Sequence, residues 1–210
     1  MILASRTFLA LVLFFTSLTG FAKTRGQVQR ERMQHLRQIK EFQAQELESI
    51  DKVVVEKSER RLYLMAMNSE GELQPYRTYS IMLGFSPQGH KTQEGDGKTP
   101  EGEYTIDLRN PKSRYFLSLH INYPNADDLA QASERGVSAG GEIFIHGMPN
   151  ELGPYYSQWI PDWMDGISRD VIYGALEYVD WTAGCIAVSN LAITEIYDLV
   201  KDGTPIVINP

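Results

Sequence analysis

The chain holds one cysteine, Cys185, in the run Thr182-Ala183-Gly184-Cys185-Ile186. A single cysteine excludes an internal disulfide. It is then a staple to another molecule, a small buried hydrophobe, or a reactive thiol. A cysteine nucleophile needs a base to make the thiolate, a group that orients the base, and donors for the oxyanion. Gly184 lets the backbone approach a substrate or turn tightly before a strand. The backbone N–H groups around Gly184, with the Thr182 hydroxyl, are the candidates for the oxyanion region. There are four histidines to serve as base. His35 lies in a charged stretch and His90 in a polar connection. His120 ends a strand-like run before Asn122-Tyr123-Pro124-Asn125. His146 closes Ile143-Phe144-Ile145 and precedes Gly147. A residue at a strand end beside a flexible glycine is well placed to line a cleft, so His146 leads and His120 stays open. No close pair of Cys and His ligands suggests zinc, and this chemistry needs no metal or organic cofactor.

Strands must carry these groups. From Asp51 the apolar residues alternate or cluster in short runs: Lys52–Glu56, Arg61–Met67, Tyr76–Leu83, Gly102–Leu108, Leu117–Ile121, Glu142–Ile145, Cys185–Val188 and Pro205–Ile208. Asn68-Ser69-Glu70-Gly71 reads as a turn, and Gly84–Pro100 as a Gly- and Pro-rich connection. Two short helices are expected, at Asp127–Glu134 and at Leu191–Val200, the second with Asn190 as N-cap and Gly203 just past its end. The pattern predicts a mainly β fold, a β-rich sandwich or barrel with a few short helices. Residues 149–179 interrupt it with Tyr155, Tyr156, Trp159, Trp163, Tyr173 and Tyr178. Such an insertion is either a lid whose aromatics stack on sugar or peptide, or a satellite hydrophobic cluster.

The start of the chain has a different character. A basic start and the apolar run Thr7–Leu18 lead to Gly20-Phe21-Ala22, the pattern of a signal peptide covering residues 1–22. The run is short for a membrane span; an uncleaved anchor is the alternative. Its loss would remove Arg6 and leave an acidic chain. That balance, without a basic stripe, speaks against nucleic acid and against anionic lipid. Residues 23–50 read as an amphipathic helical leader, with Met33, Leu36, Ile39, Phe42, Leu47 and Ile50 at mostly helical spacing. Export predicts a periplasmic location.

Ile145-His146-Gly147 followed by Thr182-Ala183-Gly184-Cys185-Ile186 resembles the signature of the L,D-transpeptidase catalytic domain, the YkuD family. Gly97-Lys98-Thr99-Pro100-Glu101-Gly102-Glu103-Tyr104 is similar to that family's G-x-TP-x-G-x-Y segment. The resemblance covers residues 51–210. It implies Cys185 as nucleophile, His146 as general base and acid, and the Gly147 carbonyl as the imidazole's orienter. It implies peptidoglycan stem tetrapeptides as substrate, attack at the third residue and loss of the terminal D-Ala. An amine then resolves the acyl-enzyme, giving a cross-link between third residues or an attached lipoprotein lysine. Resolution by water makes a carboxypeptidase or endopeptidase instead, and a non-catalytic wall-binding protein is a further alternative. The substrate-binding set is expected to be His120, Tyr156, Trp159, Trp181 and Asn190, and carbapenem-type inhibitors are expected to acylate Cys185. Many members carry Arg where this chain has Ala187, and His where it has Ala183. Arg114 or Arg169 is then the candidate cation for a substrate carboxylate. The wide gap from His146 to Thr182 resembles the subgroup that includes hydrolases releasing wall-bound lipoprotein.

Overall fold

The computed structural model describes residues 50–151 and 169–210, all within the unit Glu46–Pro210. The signal peptide, nearly all of the leader and most of the insertion lie outside the described residues. Eight strands form one sheet in the order β3-β2-β1-β8-β4-β5-β6-β7. They are β1 Lys52–Glu56, β2 Arg61–Met67, β3 Leu73–Ser80, β4 Gly102–Asn110, β5 Ser118–Ile121, β6 Ile143–His146, β7 Ile186–Ala187 and β8 Pro205–Asn209. The fold is mainly β, as the sequence pattern predicts.

Period-two alternation decides which face is covered. Val53 and Val55 of β1, Leu62 and Leu64 of β2, and Ile206 and Ile208 of β8 all turn inward and are buried. Helix α3, Asn190–Leu199, packs Ile193 and Ile196 into the same core. Each such side chain contributes roughly 1.5–3 kcal/mol on burial. The sheet curls back on itself. Just past β3, Met82 bridges Ala187 and Gly84 bridges Thr182. The first and last strands of the order thereby meet.

Three elements differ from expectation. β3 begins at Leu73 and ends at Ser80, because Ile81–Leu83 leave β2 to reach the β7 side. Pro75 is tolerated because β3 is an edge strand of the ladder. The last helix is capped by Ser189, whose hydroxyl accepts from Ala192 N–H; Asn190 is its first helical residue. Helix α1, Ala126–Glu134, has a capping box of Asn125 and Asp128. Helix α2, Arg169–Leu176, was not expected, since Val171, Ile172, Tyr173 and Gly174 are weak helix formers. Among the described residues, no helix is long and apolar enough to cross a membrane.

The pair that matters for the site is β6 and β7. They run parallel, with Ile145 opposite Ile186 and His146 opposite Ala187. A parallel pair needs a long crossover. Residues 147–185 supply it and carry α2.

Candidate active site

The register of β6 and β7 fixes the two reactive groups. Opposed residues in a parallel pair share a face, and so do residues two apart on one strand. Cys185 stands two before Ala187, so its side chain lies on the face of Phe144 and His146. Strands about 4.8 Å apart with about 3.3 Å per residue put the Cα atoms of Cys185 and His146 about 8 Å apart. A thiol and an imidazole on those atoms can serve one substrate carbonyl.

His146 is buried, and its Nδ1 lies 2.7 Å from the Gly147 carbonyl oxygen. A carbonyl only accepts, so Nδ1 carries the proton and Nε2 keeps its lone pair. Tyr115 lies against the imidazole with ring centroids 4.3 Å apart, and Trp181 meets it edge-on at 5.7 Å. Met82, Met148 and Ala187 form a small apolar cluster beside them, packed by Tyr173, Leu176 and Trp181. Burial in this setting pushes the His146 pKa down to about 4, against the pull of the Gly147 carbonyl. The imidazole is neutral at physiological pH. Gly147 must be glycine: a Cβ there would sit 2.6 Å from Asn190 Oδ1 and 2.9 Å from Ile193 Cγ2.

Cys185 is half-buried, and its thiol donates to the Glu142 carbonyl oxygen at 3.4 Å. Burial pushes the thiol up to about 11; a backbone hydrogen bond from Phe144 and the Lys91 ammonium pull it back, while the Glu142 carboxylate pushes it further. Glu142 sits in the left-handed region at φ 56, uncommon for a residue with a side chain. The resting pair is therefore a thiol and a neutral imidazole.

The turn before the sulfur corrects one expectation. The Thr182 hydroxyl donates to the Cys185 carbonyl at 2.7 Å and accepts the Gly184 N–H at 3.1 Å. These protons brace the turn and are not directed at an oxyanion. Gly184 adopts φ 138, and a Cβ on it would lie 2.7 Å from the Lys98 carbonyl oxygen. The connection 84–101 thus presses directly on the turn that carries the thiol.

That connection is clamped by buried charge. Lys57 Nζ donates to the carbonyls of Gly89 (2.7 Å) and Thr99 (3.0 Å) and to Glu101 Oε1 (2.7 Å). The Thr99 hydroxyl accepts the Gly84 N–H at 3.1 Å. Desolvation lowers the Lys57 pKa while Glu101 opposes it. His90 accepts the Glu101 N–H on Nδ1 and faces Asp128 Oδ1 through Nε2 at 3.2 Å. His90 is thereby a brace between the connection and α1.

The sequence matches the L,D-transpeptidase catalytic domain, the YkuD family, over residues 50–208. The chain belongs to this family. YafK of Escherichia coli (strain K12), provisionally named an L,D-transpeptidase, is 30% identical over 139 residues, which is 64% of this chain and 54% of YafK. The crystal structure of Pgp2, the helical cell shape determining protein of Campylobacter jejuni, superposes with a TM-score of 0.53 at 24% identity, covering 78% of this chain and 49% of Pgp2. A mutant of Pgp2 gives a TM-score of 0.51 at 22% identity, over 78% and 48%. Both show the same fold. The chain spans about half the length of the relatives it matches.

Within this L,D-transpeptidase domain the other expected residues fall in different places. His120 shares the face of His146 but sits on β5, one strand farther from Cys185; its Nδ1 is 2.5 Å from Asp107 Oδ1 and its ring meets Phe144 edge-on at 4.9 Å. Trp181 walls the imidazole. Asn190 Oδ1 accepts the Met148 N–H at 2.8 Å and so holds the backbone just after His146-Gly147. Ala187 is fully buried opposite Met82, and its side chain lies in the apolar cluster. Arg114 is exposed, and its carbonyl accepts from Asn150 N–H. Tyr156, Trp159, His35 and the Arg169 side chain lie outside the described residues. Of the insertion's aromatics, Tyr173 belongs to the satellite cluster and Tyr178 is exposed. Sequence reasoning missed Tyr115, Glu142 and Lys91. The first two act through position in the fold. Lys91 lies a few residues before the recognised Gly97–Tyr104 segment, and that proximity was the available signal.

Proposed function

We propose that the chain is an exported, periplasmic cysteine acyltransferase acting on peptidoglycan stem tetrapeptides. The observation that carries this reading is the placement of Cys185 and His146 on one face of a parallel pair, with Nδ1 tied to Gly147. Cys185 Sγ attacks the carbonyl of the stem's third residue as its proton passes to His146 Nε2. Both groups rest neutral, so transfer accompanies attack. With the Thr182 and Gly184 protons committed to the turn, the Cys185 N–H is the oxyanion donor in this reading. The tetrahedral intermediate collapses, the peptide C–N bond breaks, and Nε2 returns the proton to the D-Ala amine. A thioester remains. An acceptor amine, from a second stem or a lipoprotein lysine, attacks it and yields a proton to Nε2. The thiolate leaves and recovers that proton.

Ala187 favours a second reading, hydrolysis on the same scaffold. No cation stands at that position to hold a substrate carboxylate, and water then replaces the amine. Purified full-length protein incubated with disaccharide tetrapeptide separates the two by product mass. Cross-linked dimer supports transfer, and tripeptide monomer alone assigns hydrolysis. Cys185→Ala should lower either turnover by at least about 10³-fold. A carbapenem adduct on the native chain, absent from Cys185→Ala, checks the nucleophile. A folded, reduced sample that takes up neither substrate nor carbapenem overturns both readings.

A further inference from the structure

The face of β5 and β6 that carries the site holds a second histidine with no task in the steps above. Leu119 and Ile121 of β5, Ile143 and Ile145 of β6 and Ile186 of β7 turn to the core. His120, Phe144 and His146 take the other face. His120 stands directly opposite Phe144, and their rings meet edge-on at 4.9 Å. Cys185 precedes Ile186, the partner of Ile145, so Phe144 lies between His120 and Cys185 in one row across three strands. Two strand spacings put the Cα atoms of His120 and Cys185 about 10 Å apart. The thiol leans to the β6 side of that gap, where it donates to the Glu142 carbonyl at 3.4 Å, and the half-buried Phe144 forms the floor.

β4 is bent to supply a carboxylate there. Its register shifts between Ile106, opposite Ile121, and Leu108, opposite His120. Asp107 is the extra residue of this bulge, and its Oδ1 lies 2.5 Å from His120 Nδ1. Bulges re-aim side chains beside active sites. A carboxylate only accepts, so in the neutral ring Nδ1 carries the proton and Nε2 the lone pair. Among the described residues, Nε2 bonds to nothing. The His120 and Asp107 side chains are 21% and 45% exposed, and an ion pair that open adds little stability.

An amine acceptor meets the thioester as an ammonium, which has no lone pair to attack with. His146 takes the proton that leaves nitrogen on attack, so the first proton has to go elsewhere. We propose that the Asp107–His120 pair, above the Phe144 ring, is the acceptor subsite: it seats an alkylammonium and takes its first proton on His120 Nε2. The Asp107 carboxylate and the face of Phe144 both attract a cation. One N–H bond of the ammonium breaks, its electron pair becomes the lone pair on nitrogen, and the proton stays on His120 beside Asp107 through the attack. That lone pair forms the C–N bond, the second proton passes to His146 Nε2, the C–S bond breaks, and the sulfur recovers the second proton. His120 returns its own to solvent. This inference rests on the acyl-enzyme at Cys185 proposed above.

Disaccharide tetrapeptide serves the full chain as both donor and acceptor. D-Ala released in the first turnover reports acylation, and cross-linked dimer reports transfer. His120→Gln should keep the acylation rate and lower dimer formation by at least about 10²-fold near pH 7. From about pH 7 to 9 the variant's dimer rate should climb about tenfold per unit, as solution supplies free amine, while the native rate stays flat. Among the described residues, β4 turns Asp107 to His120, and β6 carries Glu142 and His146 two residues either side of Phe144. The Cys185 thiol at about 11 and His146 at about 4 lie outside that window. Unchanged dimer formation in His120→Gln, acylation and transfer falling together, or native and variant rates climbing alike would each overturn the proposal. Should His120→Gln fail to fold, Asp107→Asn decides: lost dimer with acylation kept supports the subsite, and any other result overturns it. A native chain that is acylated but yields tripeptide alone overturns the subsite and leaves the nucleophile standing; one that is never acylated overturns both.

Discussion

The β6–β7 seam and the connection 84–101 bury titratable groups in opposite ways. At the seam, His146 lies among Tyr115, Trp181 and an apolar cluster with no carboxylate partner among the described residues, and burial strips its charge. At the connection, Lys57, from the turn between β1 and β2, and Lys91 are as deeply buried but face Glu101 and Asp96. A buried base with no counter-charge loses its proton, and one with a counter-charge can keep it. The seam thereby gains a neutral acceptor for a proton. The connection gains stiffness from paired charge.

Breaking the paired side should have the largest effect. Lys57→Met leaves the Glu101 carboxylate without its ammonium and should cost about 3–5 kcal/mol in urea unfolding. Lys57→Met with Glu101→Leu should recover much of that loss. Equal destabilisation by single and double variants would show that packing, not charge pairing, holds the connection.

The unpaired side should reveal itself through pH. The His146 pKa in the fold is about 4 against an ordinary 6.5, so the unfolded chain binds more protons between those values. Its contribution is complete above about pH 6.5 and is lost as pH falls towards 4, on the order of 3 kcal/mol in all. Cys185 is the mirror case, with a folded value near 11 against 9.0. Its contribution is complete below about pH 9 and is lost as pH rises through 11. Unfolding free energies of the native chain and His146→Gln from pH 4 to 7 test the first claim. Parallel curves for the two would contradict it.

The same contrast explains what could be read from the sequence. Period-two alternation gave β1 and β2 to the residue, because a one-residue slip would expose Val53 and Leu62. Cys185 and His146 were legible because each borders a glycine that its contacts require: Gly184 against Lys98, Gly147 against Asn190 and Ile193. Thr182 was expected at the oxyanion and Asn190 at the substrate; in the fold the Thr182 hydroxyl and Asn190 Oδ1 hold backbone. A hydroxyl or an amide can hold backbone or substrate, and only the folded turn decides which. Tyr115 and Glu142 carry no local pattern at all, and Lys91 has only its nearness to the Gly97–Tyr104 segment. They reach the site through strand order and through a connection folded across it, which spacing along the chain does not encode.

Smaller changes should sharpen the boundary between positioning and plain stability. Gly147→Ala forces a Cβ against Asn190 and Ile193 and should cost about 1–3 kcal/mol. Because it displaces the carbonyl that orients His146, acylation of Cys185 should fall by more than the lost stability explains. Unchanged acylation in a folded Gly147→Ala would remove that carbonyl from the mechanism. Ser189→Ala should come last, at about 1 kcal/mol, since it deletes only the hydroxyl that caps α3. α3 also supplies Asn190, which holds the Met148 N–H beside the site. Equal acylation rates in native and Ser189→Ala protein would show that the grip of Asn190 survives a frayed helix start. A matched fall in rate would make the cap part of the seam.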